Sequence, residues 1–219
     1  MTKIDHIEYK QAEISLIPDN WKMVRLGEVC EINPSRPKGL TRLPDAPTTF
    51  IPMAAVDEKT GTVAKPEIVP YKKVSKGYTY FEEDDVLFAK ITPCMQNGKH
   101  VIASNLIDGV GFGTTEFHVL RHKDEVLPEW IYFFIRQPYF LQEATAYFTG
   151  AVGQQRIPEY FLSDYIIPLP PLKEQKRIAS KIQELMQEVE RARTACEKQL
   201  EAINSLPQAI LKKAFRGEL

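Results

Sequence analysis

The stretch Ile166-Ile167-Pro168-Leu169-Pro170-Pro171, running directly into Leu172-Lys173-Glu174-Gln175-Lys176-Arg177-Ile178-Ala179, decides how this chain is organised. Each proline fixes its own backbone and biases its predecessor away from helix, so residues 166–171 read as a stiff, extended connector. The domain boundary therefore falls there, giving residues 1–171 as one domain and residues 172–219 as a separate helix. Beyond Pro171 no glycine occurs until Gly217, and apolar or small residues recur at Ile178, Ile182, Leu185, Val189, Ala192, Cys196, Ile203, Leu206 and Ile210. Their spacing alternates three and four, with Gln199 and its neighbour Leu200 filling one imperfect step, and this is the heptad signature of a coiled coil. Pro207 is expected to kink the helix near its end. About 40 helical residues rise ~60 Å, too long to pack wholly on a domain of this size, so the helix is expected to project and to need a partner helix. An amphipathic helix folded back on its own domain is the alternative, but heptads sustained this far favour pairing.

Upstream of the connector the pattern changes. Short β-type runs at Phe50–Val56, Thr62–Val69, Val86–Ile91, His100–Ala103 and Thr115–Leu120 are separated by turn chemistry. Glu82-Glu83-Asp84-Asp85 precedes one run, and Gln96-Asn97-Gly98-Lys99 resembles a hairpin connection before another. Between Pro128 and Phe148 the period becomes helical, with Ile131, Phe134 and Ile135 on one side and a break at Pro138. The fold class expected is α+β: a mixed, mostly β domain followed by a long C-terminal helix.

Composition bounds the possibilities. The 219 residues are 43% hydrophobic and 26% charged, ordinary values for a packed protein with a core of its own. The longest aromatic-aliphatic run, Trp130–Ile135, is far short of the roughly twenty residues that span a bilayer. Asp5, His6, Glu8 and Lys10 stand where a signal peptide would be apolar, and a cytoplasmic protein without membrane contact is expected. Cys30, Cys94 and Cys196 are too scattered for a disulfide or zinc framework. Net charge is −1. Residues 172–219 hold 10 Lys+Arg against 7 Asp+Glu, whereas residues 1–171 hold 18 against 22. Total charge therefore argues mildly against a polyanionic partner, but clustering on one face matters more than the total.

Catalytic constellations are scarce. His118 and His122 have a metal-ligand spacing on a helix but lie in a strand-like segment without a third ligand, so structural roles are expected. The acidic run Glu82–Asp85 reads as a solvated turn. Gly109-Val110-Gly111-Phe112-Gly113 lacks the continuation of a dinucleotide loop and reads as a glycine-rich turn. Asn33-Pro34-Ser35-Arg36 lacks the second proline and aromatic of a base-flipping methyltransferase loop. No catalytic or metal-binding residue is assigned.

The remaining polar segments suit nucleic acid. Lys90 and Thr92, with Gln96, Asn97 and Lys99, supply amides able to bond adenine bidentately and lysines for phosphate. Gln154, Gln155 and Arg156 repeat that chemistry, with Arg156 able to take both acceptors of guanine. Lys72, Lys73 and Lys76 are interleaved with Tyr71, Tyr78 and Tyr80, and Arg36 and Lys38 lie in a proline-rich loop.

Several motifs together carry a resemblance. Ile17-Pro18-Asp19-Asn20-Trp21 and Leu26-Gly27-Glu28 open the chain; Asp85-Val86-Leu87-Phe88-Ala89-Lys90-Ile91-Thr92-Pro93-Cys94, Asn97-Gly98-Lys99 and Gly113-Thr114-Thr115-Glu116-Phe117-His118-Val119-Leu120 follow. The proline connector running into Glu174–Ala179 is the most specific, and Ala214-Phe215-Arg216-Gly217-Glu218-Leu219 ends the series. With these motifs the chain resembles the specificity subunits of type I restriction-modification enzymes. The resemblance implies a noncatalytic target-recognition domain that reads double-stranded DNA, without a cofactor of its own. It implies a modification subunit using S-adenosylmethionine and, in a complete enzyme, an ATP-driven restriction subunit. Such subunits usually carry two recognition domains and two helices, whereas this sequence has one of each: a half-size form, or a separate half of a longer subunit. A homodimer is then expected, through an antiparallel coiled coil whose seam is Ile178, Ile182, Leu185, Val189, Ala192, Cys196, Leu200, Ile203, Leu206 and Ile210. Its expected target is an interrupted palindrome. A methyltransferase acting alone would need motifs that are absent. A coiled-coil adaptor that does not read DNA is the other alternative, supported by the net −4 of residues 1–171.

Overall fold

The computed structural model describes residues 17–151 and 153–218. The reading of Asp5–Lys10 and the terminal Leu219 of the last motif lie outside them. Two compact units are present, residues 1–176 and 177–219, so the helix opening at Leu172 contributes its first turn to the first unit.

In the first unit β1 (Lys22–Arg25), α1 (Leu26–Val29) and β2 (Cys30–Ile32) lead into β3 (Pro47–Ile51), β4 (Glu67–Pro70) and α2 (Tyr71–Val74). Then come β5 (Thr79–Glu82), β6 (Val86–Ala89), β7 (His100–Ile102), β8 (Val110–Gly113) and β9 (Phe117–His122). Helices α3 (Pro128–Ile135), α4 (Pro138–Thr145) and α5 (Glu159–Asp164) precede β10 (Ile166–Leu169) and the long α6 (Leu172–Ala214). Prolines open α3 and α4, where a missing N–H costs nothing.

Two four-stranded sheets, ordered β2-β9-β6-β7 and β4-β3-β8-β5, stack on one another. Among the described residues only β3 and β8 pair in parallel; the other ladders are antiparallel. The core between the sheets takes Ile51 and Phe81 from one and Leu87, Ala89, Val101, Phe117 and Val119 from the other. All of Val86–Ala89 is buried, because the opposite face of β6 is also covered: the Phe88 ring meets Phe140 of α4 edge-on. A strand buried on both faces reads as a continuous apolar run, which is why the sequence marks it clearly. On the far side of the second sheet Val74, Tyr80, Val110 and Phe112 form a smaller core.

Three expectations are corrected. Ile166–Leu169 is a paired strand rather than a bare connector, joined antiparallel to β1 with Pro168 opposite Met23. Its alternation buries Ile167 and Leu169. Residues 110–113 are an inner strand rather than a glycine-rich turn. The Phe81 ring lies over Gly111, where a β-carbon would sit 2.3 Å from Phe81 Cε2. Finally, Asp85 is no solvated turn residue. It is 1% exposed and accepts from Arg121 Nε and Nη2 at 2.9 and 2.7 Å.

The other unit is the remainder of α6, whose helical assignment continues unbroken through Pro207. No helix among the described residues is long and apolar enough to cross a membrane.

Candidate nucleic-acid interface

A cleft of about 520 Å³ opens at the ends of strands from both sheets. Asn33, Ser35 and Arg36 after β2 form one wall, Tyr78 before β5 another, and Lys90 and Thr115 close it, over Phe112 and Phe117. The chain turns into this cleft at Asn33, whose φ of 52° falls in the left-handed region that asparagine tolerates better than most side chains. Its side chain is fully used. Oδ1 accepts from the Val119 N–H at 3.1 Å and Nδ2 donates to Glu159 Oε2 at 2.7 Å.

His118 lies beneath. Its Nε2 donates to the Ile157 carbonyl at 2.8 Å, which leaves Nδ1 as the acceptor for Asn33 Nδ2 at 3.0 Å. Burial, the largest influence, holds this imidazole below its usual range and hence neutral. His118 is thus a structural histidine, and among the described residues no group of His, Cys, Asp and Glu could hold a metal ion.

Lys90 stands where the two candidate segments meet. Ile91 bridges to Arg156, the Thr92 N–H donates to the Gln155 carbonyl at 3.0 Å, and the Ile157 N–H donates to the Lys90 carbonyl at 2.9 Å. These bonds zip residues 90–92 to residues 155–157, bringing together positions more than sixty apart in sequence. Partial burial lowers the Lys90 ammonium below the usual lysine range, with Glu116 and Glu159 pulling it back up and Arg156 pushing it down. Among the described residues that ammonium makes no hydrogen bond or ion pair. A half-buried, unpartnered cation in a cleft gains from an anion or a base-edge acceptor.

Arg36 on the opposite wall, and Lys38, Lys72 and Lys73 outside the cleft lining, are held differently. Arg36 Nη1 donates to the Ser75 carbonyl at 2.7 Å and to the Tyr71 hydroxyl at 3.2 Å, which ties its loop to α2. Lys72, on that helix, pairs with Asp45 at 2.6 Å, while Lys73 and Lys38 are exposed. Arg36, Lys72, Lys73, Lys90, Thr92 and residues 154–156 thus lie on segments bonded to one another or facing across the cleft. Gln96, Asn97 and Gln154 are exposed.

Two expected contacts are placed otherwise. Arg156 directs Nε and Nη2 onto Glu116 at 2.8 and 2.7 Å and Nη1 onto the Gln154 carbonyl, so its fork is committed within the domain rather than offered to guanine. The arginine holds the Glu116 carboxyl below the usual carboxylate range. Lys99 Nζ donates to the carbonyls of Val56 and Met53 at 3.1 and 3.4 Å instead of facing a phosphate. Sequence reasoning also passed over Asn33, Ser35 and Thr115. Asn33-Pro34-Ser35-Arg36 reads in the sequence only as a methyltransferase-like loop that lacks its second proline and aromatic, and nothing in it signals a cleft.

Two of the motifs behind the resemblance, the one at Trp21 and the one at Glu174, meet in space. Trp21 Nε1 donates to Glu174 at 3.1 Å, and the Trp21 ring meets Trp130 edge-on at 5.5 Å. Residues 18–201 match the family described as Type I restriction modification DNA specificity domain. The chain belongs to that family. Among its relatives, the type I restriction enzyme EcoAI specificity subunit of Escherichia coli is 38% identical over 171 residues, covering 78% of this chain and 28% of the relative. The EcoEI specificity subunit of the same species is 37% identical with the same coverage. A solved chain from a study of complex assembly and conformational transition in the type I R-M system superposes with a TM-score of 0.76 at 25% identity, covering 90% of this chain and 50% of that one. The HsdS subunit of Thermoanaerobacter tengcongensis gives a TM-score of 0.68 at 25% identity, covering 90% and 49%. This specificity-family chain therefore spans about half of the solved relatives and under a third of those two curated ones.

Proposed function

We propose that this chain is the noncatalytic DNA-reading component of a type I restriction-modification assembly. The β-rich domain recognises duplex DNA at the cleft, while α6 pairs with the same helix of a second copy and seats a modification subunit. The observation that carries the reading is the unpartnered, half-buried Lys90 at the junction of two polar loops, with Arg36 across the cleft. Membership of a family described by DNA specificity supports it. S-adenosylmethionine then belongs to the modification subunit, and ATP to a restriction subunit where one is present, all in the cytosol.

Phosphate contacts position a protein on DNA and base contacts specify the site. Arg36, Lys72 and Lys73 serve the first role and Lys90 with Gln154 the second. The test is a binding titration of the assembled complex with its modification subunit against salt. Lys73→Gln should weaken specific and nonspecific DNA alike and lower the salt slope by about 1. Lys90→Gln should lose about 1 to 3 kcal/mol on the preferred site only. Unchanged binding in both variants would move the DNA face away from this cleft.

A further inference from the structure

Arg136, which follows the last turn of α3, has no counterpart among the residues so far given a role in DNA reading. Its guanidinium reaches two separate turns. Nη1 donates to the Gly98 carbonyl at 2.6 Å and approaches the His100 carbonyl at 3.4 Å. Nη2 donates to the Glu58 carbonyl at 3.1 Å and approaches that of Lys59 at 3.4 Å. The Tyr132 ring lies 5.2 Å from the guanidinium carbon, and its hydroxyl reaches the Gly61 carbonyl at 3.4 Å. Gly61 has a φ of +64°, and a β-carbon there would sit 1.8 Å from that hydroxyl.

Each turn is also finished internally. Asp57 Oδ1 accepts from the backbone N–H groups of Lys59 and Thr60 at 2.9 and 2.7 Å. Met95 is fully buried beneath the other turn, leaving Gln96 and Asn97 exposed above it. Lys99 supplies a second tie, from the far turn to the carbonyls of Met53 and Val56. Two cations, both spent on backbone carbonyls, therefore hold these turns side by side.

We propose that Arg136, assisted by Lys99, joins residues 57–61 and 94–99 into one DNA-reading platform. Lys59 and Thr60 stand on it beside Gln96 and Asn97, and Arg136 is a positioning residue for sequence discrimination. The proposal rests on the DNA-reading role above and extends it to a surface outside the cleft. Irregular loops stay mobile unless their backbone groups are tied down, and a bidentate amide contact to a base edge is lost when the loop that carries it wanders. A planar guanidinium can serve both turns at once, whereas an ammonium is a point donor.

The test compares Arg136→Gln, Arg136→Lys, Lys99→Met and Gly61→Ala in the complex with the modification subunit. It reads the ratio of specific to nonspecific DNA affinity, the salt slope, and hydrogen exchange at residues 57–61 and 96–100. Arg136→Gln should speed exchange at both turns and reduce the specificity ratio about tenfold or more at an unchanged salt slope. Arg136→Lys should recover part of the ratio. A loss of overall stability alone would not move that ratio. If Arg136→Gln does not fold, Lys99→Met and Gly61→Ala, which loosen the same junction, decide by the same readout. Faster exchange with an unchanged ratio would overturn the platform while leaving DNA reading at the cleft intact, and a salt slope lowered by about 1 would overturn it by making Arg136 a phosphate contact. A wild-type complex without sequence preference would instead overturn the proposed function.

Discussion

His100 is fully buried and stacks on Phe88 with the ring planes parallel, centroids 4.3 Å apart. Its Nδ1 accepts the Ala89 N–H at 3.1 Å, so the folded state needs the neutral ring. Burial first, and the neighbouring Arg136 charge second, push this imidazole down to about 3, against a smaller upward pull from the Met95 backbone. In the unfolded chain it would titrate near 6.5. Between those values the unfolded state binds more protons, so His100 contributes stability above pH ~6.5 that is lost as pH falls toward 3, at up to about 1.4 kcal/mol per pH unit. His118 is lowered in the same direction and adds to the slope. Urea unfolding at pH 7.5 and pH 5 should therefore show a weaker fold in acid, and His100→Phe, though less stable at neutral pH, should show a smaller acid loss. An identical pH slope in that variant would assign the effect to other groups. At this scale the sequence is least legible. His100 and Asp85 look like surface polar residues because the groups that enclose them arrive from elsewhere. Asp85 depends on Arg121, 36 residues away, and His100 is packed beside helices that begin only at Pro128.

Gln175 shows what the junction motif does for the elements around it. Fully buried in the first turn of α6, it donates from Nε2 to the carbonyls of Glu125 and Pro170 at 2.9 and 2.8 Å and accepts the Leu127 N–H at 2.9 Å. One amide thus satisfies backbone groups at the entry to α3 and at the end of the proline segment. Gln175→Leu would leave those groups buried without partners and should cost about 2 kcal/mol in chemical unfolding, whereas Lys176→Gln, one residue on and exposed, should be neutral within about 0.5 kcal/mol. Equal effects of the two would mean that water replaces the amide. Elements whose burial is uniform or strictly periodic were readable: β6 as an apolar run, α3 and α4 from their period and prolines, α6 from its heptads. β8 was not, because Gly111 and Gly113 carry no side chain to alternate and serve to admit the Phe81 ring. Nor was the pairing of β1 with β10, since more than 140 residues separate partners such as Lys22 and Leu169. Likewise Arg36 and Lys90 at the cleft are legible as polar residues of loop segments, while Asn33, Ser35 and Thr115 are not, and their assembly depends on pairing between segments distant in sequence.

At the scale of the whole molecule, α6 supplies the argument. Leu185, Val189, Leu200, Ile203, Leu206 and Ile210 are between 47% and 62% exposed in the single chain, on the seam that the heptads define. Burying such a seam against an identical copy gives a two-fold axis, because closed dimers are overwhelmingly isologous. An antiparallel pair carries its two recognition domains at opposite ends of the helices; a parallel pair would bring them together. Matching the protein axis to a DNA dyad then requires half-sites that are inverted repeats, separated by bases read only through their deformability. The 43 residues of α6 rise about 65 Å, or about 19 base pairs at ~3.4 Å each, which is the distance between the two helix starts when an antiparallel pair overlaps along its full length. Removing one heptad shortens each helix by about 10 Å while preserving the seam. Genome-wide mapping of methylated positions should accordingly find an interrupted palindrome modified on both strands. In the heptad-deleted variant the spacer should shorten by about three base pairs with the half-site bases unchanged. A continuous or asymmetric motif would reject the two-fold pair. A spacer indifferent to the deletion would mean that contacts other than helix length set the distance, and a change in the half-site bases would mean that the helix itself takes part in reading them.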